Sequence, residues 1–242
     1  MVASTSPRSS PVVPVVIAVV AVLLAAVAFI ASRPNETARS SSATASGGQS
    51  PSAPAASEND PLVRLARRTP NDPLAMGKVD APVVMISYSE FQCPFCGKFA
   101  RDTQPTLVKK YVDSGVLRIE WRDFPYLGQE SMTAALAGRA AAKQGGFWAF
   151  HDALYHNQQP VNAGKLTPQY LGSVADKAGL DGAKLVTDMK RPELTEAVNA
   201  DAREGQSIGV TGTPAFIING QPIIGAQPTE VFEKAIEDAA KR

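Results

Sequence analysis

Cysteine and histidine are nearly missing from this chain: two of each occur among 242 residues. A small secreted scaffold stapled by disulfides needs more cysteines, spread along its length. The fold must therefore rest on an apolar core, and the chain is long enough to build one. A structural metal centre wants about four ligands. His151 and His156 stand five residues apart, off a common helical face, so the two cysteines lack the soft partners a metal would need. An excess of charge is also missing. Lys and Arg number 24 against 23 Asp and Glu, so no whole-chain field points to nucleic acid. No phosphate loop, dinucleotide fingerprint or G-x-S-x-G nucleophile motif occurs. The chemistry expected here calls for no metal and no cofactor.

What is present begins with one long apolar run. Residues 12–31 carry no charge and consist almost wholly of Val, Ile, Ala, Leu and Phe. Twenty such residues at about 1.5 Å each match the ~30 Å hydrocarbon core. The segment reads as a transmembrane signal anchor preceded by a short tail, residues 1–11, expected on the cytoplasmic side. A cleaved signal peptide is the rival, because Ala26-Val27-Ala28 forms a small-x-small site. Residues 32–60 are rich in Ser, Ala, Pro, Gly and Thr and offer little to bury. They read as a flexible low-complexity tether with a reach of roughly 30 Å.

From residue 61 onward the composition turns globular. Val83 to Ser89 is a β-branched run suited to a buried strand. Phe95, Phe99, Leu107, Val108, Tyr111 and Val112 then recur at helical spacing, predicting a helix of about five turns kinked near Pro105. Val116 to Phe124 is a second strand. Residues from about 128 to 208 carry helical patterns broken at Gly145-Gly146, Pro160, Gly179 and Pro192, with no convincing strand. Asn219-Gly220 between two short apolar runs signals a hairpin, both of whose strands are expected at a sheet edge. Val231, Phe232, Ala235, Ile236 and Ala239 mark a last helix. Strand, helix and strand in that order predict a parallel pair with a right-handed crossover.

Cys93-Pro94-Phe95-Cys96 falls where the first strand ends and the first helix begins. A helix N-terminus presents unpaired N–H groups and a partial positive charge, which stabilise a thiolate. Cys93 precedes the first turn and is expected to be the exposed nucleophile. Cys96, three residues on, lies on the buried side within bridging reach. Pro94 suits the first helical position. A structural disulfide closing so short a loop would add little stability. An inert buried pair is the remaining bland reading.

The segment from Ser87 to Phe99, Ser-Tyr-Ser-Glu-Phe-Gln-Cys-Pro-Phe-Cys-Gly-Lys-Phe, resembles the active-site segment of DsbA-like proteins in the thioredoxin superfamily. The segment from Gly209 to Gly220 is similar to that family's second hallmark. Asp72 to Gly77 and Arg122 to Pro125 also resemble family segments, so the likeness covers roughly residue 72 to the C-terminus. It implies an α/β thioredoxin fold with a helical insertion domain, and a cis Thr213–Pro214 bond facing the cysteines. Thr213 would then offer its backbone to an extended substrate strand. Two positions depart from the pattern. Phe95 stands where the strong oxidants of the family carry histidine, so Cys93 should be less acidic than theirs. Ser87 stands where the family carries an acidic side chain. Glu90 is the nearest carboxylate, either a proton relay for Cys96 or a solvated group at a strand end.

These residues together predict a monomeric protein disulfide oxidoreductase held at the extracytoplasmic face of a membrane. Oxidation is the usual task outside the cytosol, which favours a dithiol oxidase acting on exported proteins. No third cysteine exists to pass electrons on. The resemblance therefore implies a quinone-linked membrane reoxidant of the DsbB or VKOR type. A reductase or isomerase of the same fold is the alternative; from another class, a peptide-binding chaperone with incidental cysteines. The aromatic run Phe147-Trp148-Ala149-Phe150-His151-Asp152 is read as insertion core, or else as one wall of a substrate groove.

Overall fold

The computed structural model describes residues 60–242. The expected anchor at 12–31 and nearly all of the tether lie outside the described residues. Among the described residues, no helix is long and apolar enough to cross a membrane.

Five strands, β1 (Ala75–Met76), β2 (Val83–Ser89), β3 (Leu117–Asp123), β4 (Ala215–Ile218) and β5 (Gln221–Ile224), form one mixed sheet in the order β1-β3-β2-β4-β5. Strand β2, Val83–Ser89, is buried at all seven positions. It pairs in parallel with β3, Leu117–Asp123, from Val83 opposite Leu117 to Ser89 opposite Asp123. A continuous run of buried side chains is what a central strand covered on both faces requires. Alternation then sorts the residues. Val83 and Met85 pack with Phe99, Leu107, Phe216, Phe232 and Ile236 on one face. Val84, Ile86 and Tyr88 pack with Phe124, Ala215 and Ile217 on the other.

Helix α1 connects β2 to β3 and runs from residue 94 to 112, about five turns long as its periodicity predicts. It is not uniform. Pro94–Lys98 and Gln104–Leu107 are α-helical, whereas Phe99–Thr103 and Val108–Val112 widen to π geometry. The first widening precedes Pro105, which lacks an N–H and crowds the carbonyl one turn back. The chain absorbs this by pairing the Gln104 N–H with the Phe99 carbonyl.

Five helices then separate β3 from the hairpin: α2 (Gln129–Lys143), α3 (Phe147–His156), α4 (Pro168–Lys177), α5 (Gly182–Asp188) and α6 (Pro192–Ser207). Thr167 and Asp181 cap α4 and α5 with their side-chain oxygens. The hairpin joins β4, Ala215–Ile218, to β5, Gln221–Ile224. Asn219 and Gly220 both have positive φ, at 42° and 86°, as a tight two-residue turn demands. Asn219 also accepts from Val84 N and donates to the Pro82 carbonyl, tying the turn to β2. Helix α7, Thr229–Ala240, closes one face.

One expectation needs correction. Only β5 is an edge strand of the hairpin; β4 lies inside the sheet between β2 and β5. Pro222 sits on β5, where its missing N–H costs no ladder bond. The other edge is β1, Ala75–Met76, antiparallel to β3. Two residues are too short a run for hydrophobic alternation to reveal.

Candidate active site

The sheet order decides what meets the cysteines. Antiparallel pairing of β2 with β4 sets Tyr88 opposite Ala215. Chain leaving the end of β2 and chain entering β4 are therefore neighbours, so Cys93 meets Thr213 and Pro214. The Thr213–Pro214 bond is cis. The Thr213 carbonyl accepts a hydrogen bond from Cys93 Sγ at 3.2 Å.

Cys93 occupies the N-cap of α1, with Pro94 in the first turn. Its sulfur accepts from Cys96 N at 3.4 Å, and the two sulfurs are not bridged. Contrary to expectation, Cys93 is not an exposed nucleophile: it is 2% exposed and Cys96 1%. The Thr213–Pro214 segment lies over it, and Pro214 is itself buried. What separates the two sulfurs is electrostatic. A hydrogen bond from the Cys96 thiol, against the opposing effect of burial, draws the Cys93 pKa down to about 6. The backbone N–H groups of Cys96 and Phe95 assist. Burial, then the hydrogen bond its thiol donates to Cys93 and the negative charge there, pushes Cys96 well above the ordinary thiol range. Phe95 contributes through its backbone alone; its ring is 63% exposed.

Glu90 is not solvated at a strand end; it is 2% exposed. Ser131 Oγ and Gln92 N both donate to its Oε2, while Oε1 is buried without a partner. Burial raises its pKa to about 7 against the pull of these two donors, and the charge of Cys93 adds to the rise. Ser87, at the position where the family carries an acid, is buried as well.

Several supporting residues gave no signal in the sequence. Gln158 Nε2 donates to the Phe91 and Cys93 carbonyls at 3.0 and 2.9 Å, clamping the turn that carries Cys93. A Cβ on Gly97 would stand 2.2 Å from Gln158 Oε1, so a larger residue there would have to displace the Gln158 amide. Gln92 is held by Ser131 and Asn162. Isolated glutamines in loops form no motif. The aromatic run proves to be core: Phe91 stacks on Trp121 at 5.2 Å and meets Phe147, Phe150 and Tyr155. His151, 1% exposed, lies edge-on to Trp121 and Tyr155, and burial lowers its pKa.

A nucleophile and its partner on the first turn of a helix, facing a cis-proline across a mixed sheet, are suited to thiol–disulfide exchange. A family model described as "Thioredoxin" matches residues 69–238. The chain belongs to the thioredoxin family. Disulfide bond formation protein D of Bacillus subtilis is 26% identical over 169 residues, 69% of this chain and 76% of that protein. A probable disulfide bond formation protein D of Bacillus cereus is 29% identical over 172 residues, 69% of this chain and 79% of the relative. Among solved structures, oxidised BdbD of Bacillus subtilis superposes with a TM-score of 0.66 at 26% identity, covering 71% of this chain and 94% of its own. An alpha-DsbA1 structure from Wolbachia pipientis shares the fold at 22% identity, with a TM-score of 0.65 over 74% of this chain and 96% of its own. This is a DsbA-like protein disulfide oxidoreductase.

Proposed function

We propose that the chain is a dithiol oxidase that introduces disulfides into exported proteins, acting outside the cytosol from an anchor at residues 12–31. The single observation that carries this reading is the asymmetry of the two sulfurs. A Cys93 thiolate stabilised near neutral pH favours the reduced protein, and so makes the Cys93–Cys96 bridge ready to oxidise others. A substrate thiolate attacks Cys93 Sγ and Cys96 leaves with the bonding electron pair. A second substrate thiolate then attacks the substrate sulfur of the mixed disulfide, and Cys93 leaves as the stabilised thiolate. Two electrons and the substrate's two protons pass to the protein and its solvent. Glu90 holds a proton near neutrality beside this exchange, and Thr213 receives the substrate strand. A membrane reoxidant of the DsbB or VKOR type returns the bridge. The disulfide-formation relatives support this direction.

Magnitude makes the direction feasible. A Cys93 pKa drawn below the ordinary thiol range raises the potential of the bridge. Structural disulfides lie below about −300 mV, so any potential above that value makes their formation downhill. Equilibration with glutathione buffers tests this. A potential clearly above about −270 mV supports an oxidase. A value at or below that of thioredoxin makes the protein a reductase.

A further inference from the structure

Each residue from Glu90 to Cys93 receives a hydrogen bond from one stretch of the insertion, residues 155–162. The Tyr155 hydroxyl donates to the Glu90 carbonyl at 3.0 Å. Gln158 Nε2 serves the Phe91 and Cys93 carbonyls together. Asn162 N donates to Gln92 Oε1 at 2.7 Å. The Glu90 carbonyl also accepts from Cys93 N at 3.3 Å, and the Cys93 carbonyl from Gly97 N at 3.1 Å. Both peptide planes that flank the Cys93 Cα are therefore fixed, the one before it through Glu90 and Tyr155 and the one after it through Gln158. Those planes set where the Cys93 side chain stands against Cys96 N, which donates to its sulfur at 3.4 Å.

Position 158 calls for an amide. Its Nε2 must donate, because both of its partners are carbonyls. Its Oε1 faces Arg101 Nη1 at 3.5 Å, and a guanidinium offers no acceptor. Arg101 Nη1 is seated in turn on the Tyr155 carbonyl at 2.6 Å. A glutamate would set a carboxylate against two carbonyls, and a lysine would set a second cation against Arg101. Room for the amide comes from Gly97, where a Cβ would stand 2.2 Å from Gln158 Oε1 and 2.8 Å from its Cδ.

We propose that Gln158 is a positioning residue for the exchange reaction, holding the Cys93 peptide so that Cys96 N stays on the Cys93 sulfur and favours its thiolate. The assignment deepens the oxidase reading and rests on Cys93 being the sulfur that exchanges. Without the amide the Cys93 carbonyl keeps its bond from Gly97 N, but the tie to the Phe91 carbonyl is gone and the turn is free to rotate. The sulfur then loses a donor to its charged form and binds its proton more tightly. The titratable groups around Cys93 are Cys96 on α1, Glu90 after β2, Tyr126 after β3 and Tyr155 on α3. All of them stay in place in the variants below, which add and remove no charge.

The test follows thiolate absorbance in the reduced full-length protein, with the rate of Cys93 alkylation against pH as a second reading. Gln158→Ala removes the amide, and Gly97→Ala pushes it away with a residue that suits a helix better. Each should raise the first midpoint by about one unit, a ten-fold loss of acidity and the lower worth of one hydrogen bond to a charged group. The double variant should show the same shift and not the sum, because both changes break one contact. A parent midpoint in either single variant would overturn the inference, even where the urea midpoint falls, since a merely structural role leaves the titration in place. Additive shifts in the double variant would overturn it too. If Gln158→Ala does not fold, Gly97→Ala decides alone. Early alkylation of Cys96 in the parent would overturn the choice of exchanging sulfur, a separate failure.

Discussion

Replacing Glu90 with glutamine should stabilise the folded protein, and by an amount that grows with pH. Glu90 is buried with one oxygen unpartnered and no cation paired with it. Its pKa rises from 4.5 to about 7 chiefly because burial penalises the charged form. For an acid whose folded pKa is raised, the folded state binds the proton more tightly than the unfolded state. The cost to stability is absent below the unfolded pKa, develops between about 4.5 and 7, and is complete above 7. From these two values the cost is about 1 kcal/mol at pH 5 and about 3 kcal/mol at pH 8, as an order of magnitude. Glutamine keeps the acceptor for Ser131 and Gln92 and never ionises. Urea unfolding of the reduced Glu90→Gln variant and the parent, at pH 5 and pH 8, measures the difference. The variant's advantage should widen by about 2 kcal/mol between the two pH values. A constant or shrinking advantage would refute the buried, proton-binding carboxyl.

Three further outcomes follow from the same contacts. Glu120 is buried between Arg118 and Arg122 and also accepts from Arg67 N and Arg68 N; Glu120→Ala should cost about 3–5 kcal/mol of stability in urea, because it strands buried guanidinium groups. Phe91→Ala removes the ring on which Trp121, Phe150 and Tyr155 converge beneath the redox turn, and its urea midpoint should report a loss of about 3–5 kcal/mol. The reduction potential should fall by about 59 mV per pH unit below the Cys93 pKa, where reduction takes up two protons, and by about 30 mV above it, where it takes up one; glutathione titrations from pH 5 to pH 8 should place the break near 6.

The outline of this fold was legible because its central elements carry strong periodic signals. The seven residues of β2, the stripe on α1 and the Asn219-Gly220 turn each follow from local chemistry. The meeting of Cys93 with Thr213 and Pro214 did not. It depends on β4 pairing with β2, a contact across more than a hundred residues that came only through the family resemblance. The exposure assigned to Cys93 was wrong for the same reason, since the covering segment is distant in sequence. Nothing in the sequence sets Arg67, Arg118, Arg122 and Arg139 apart from surface charge, yet they pair with Glu120, Asp123, Asp201 and Glu204 against the sheet. Spacing in β3 hints at alternation, but only the packing of α6 and the chain around Arg67 shows that its polar face is covered. Tyr155 and Gln158 are ordinary residue types whose importance lies wholly in position.

The division of labour between the two sulfurs is tested most directly by titrating the reduced protein and following thiolate absorbance near 240 nm. One thiolate should appear with a midpoint near 6, and the second should not appear until the pH is well above the ordinary thiol range. Brief alkylation at pH 7 followed by peptide mapping should place the early thiolate on Cys93. Two thiolates titrating together near the free-thiol value of about 8.5, or early alkylation on Cys96, would contradict the account.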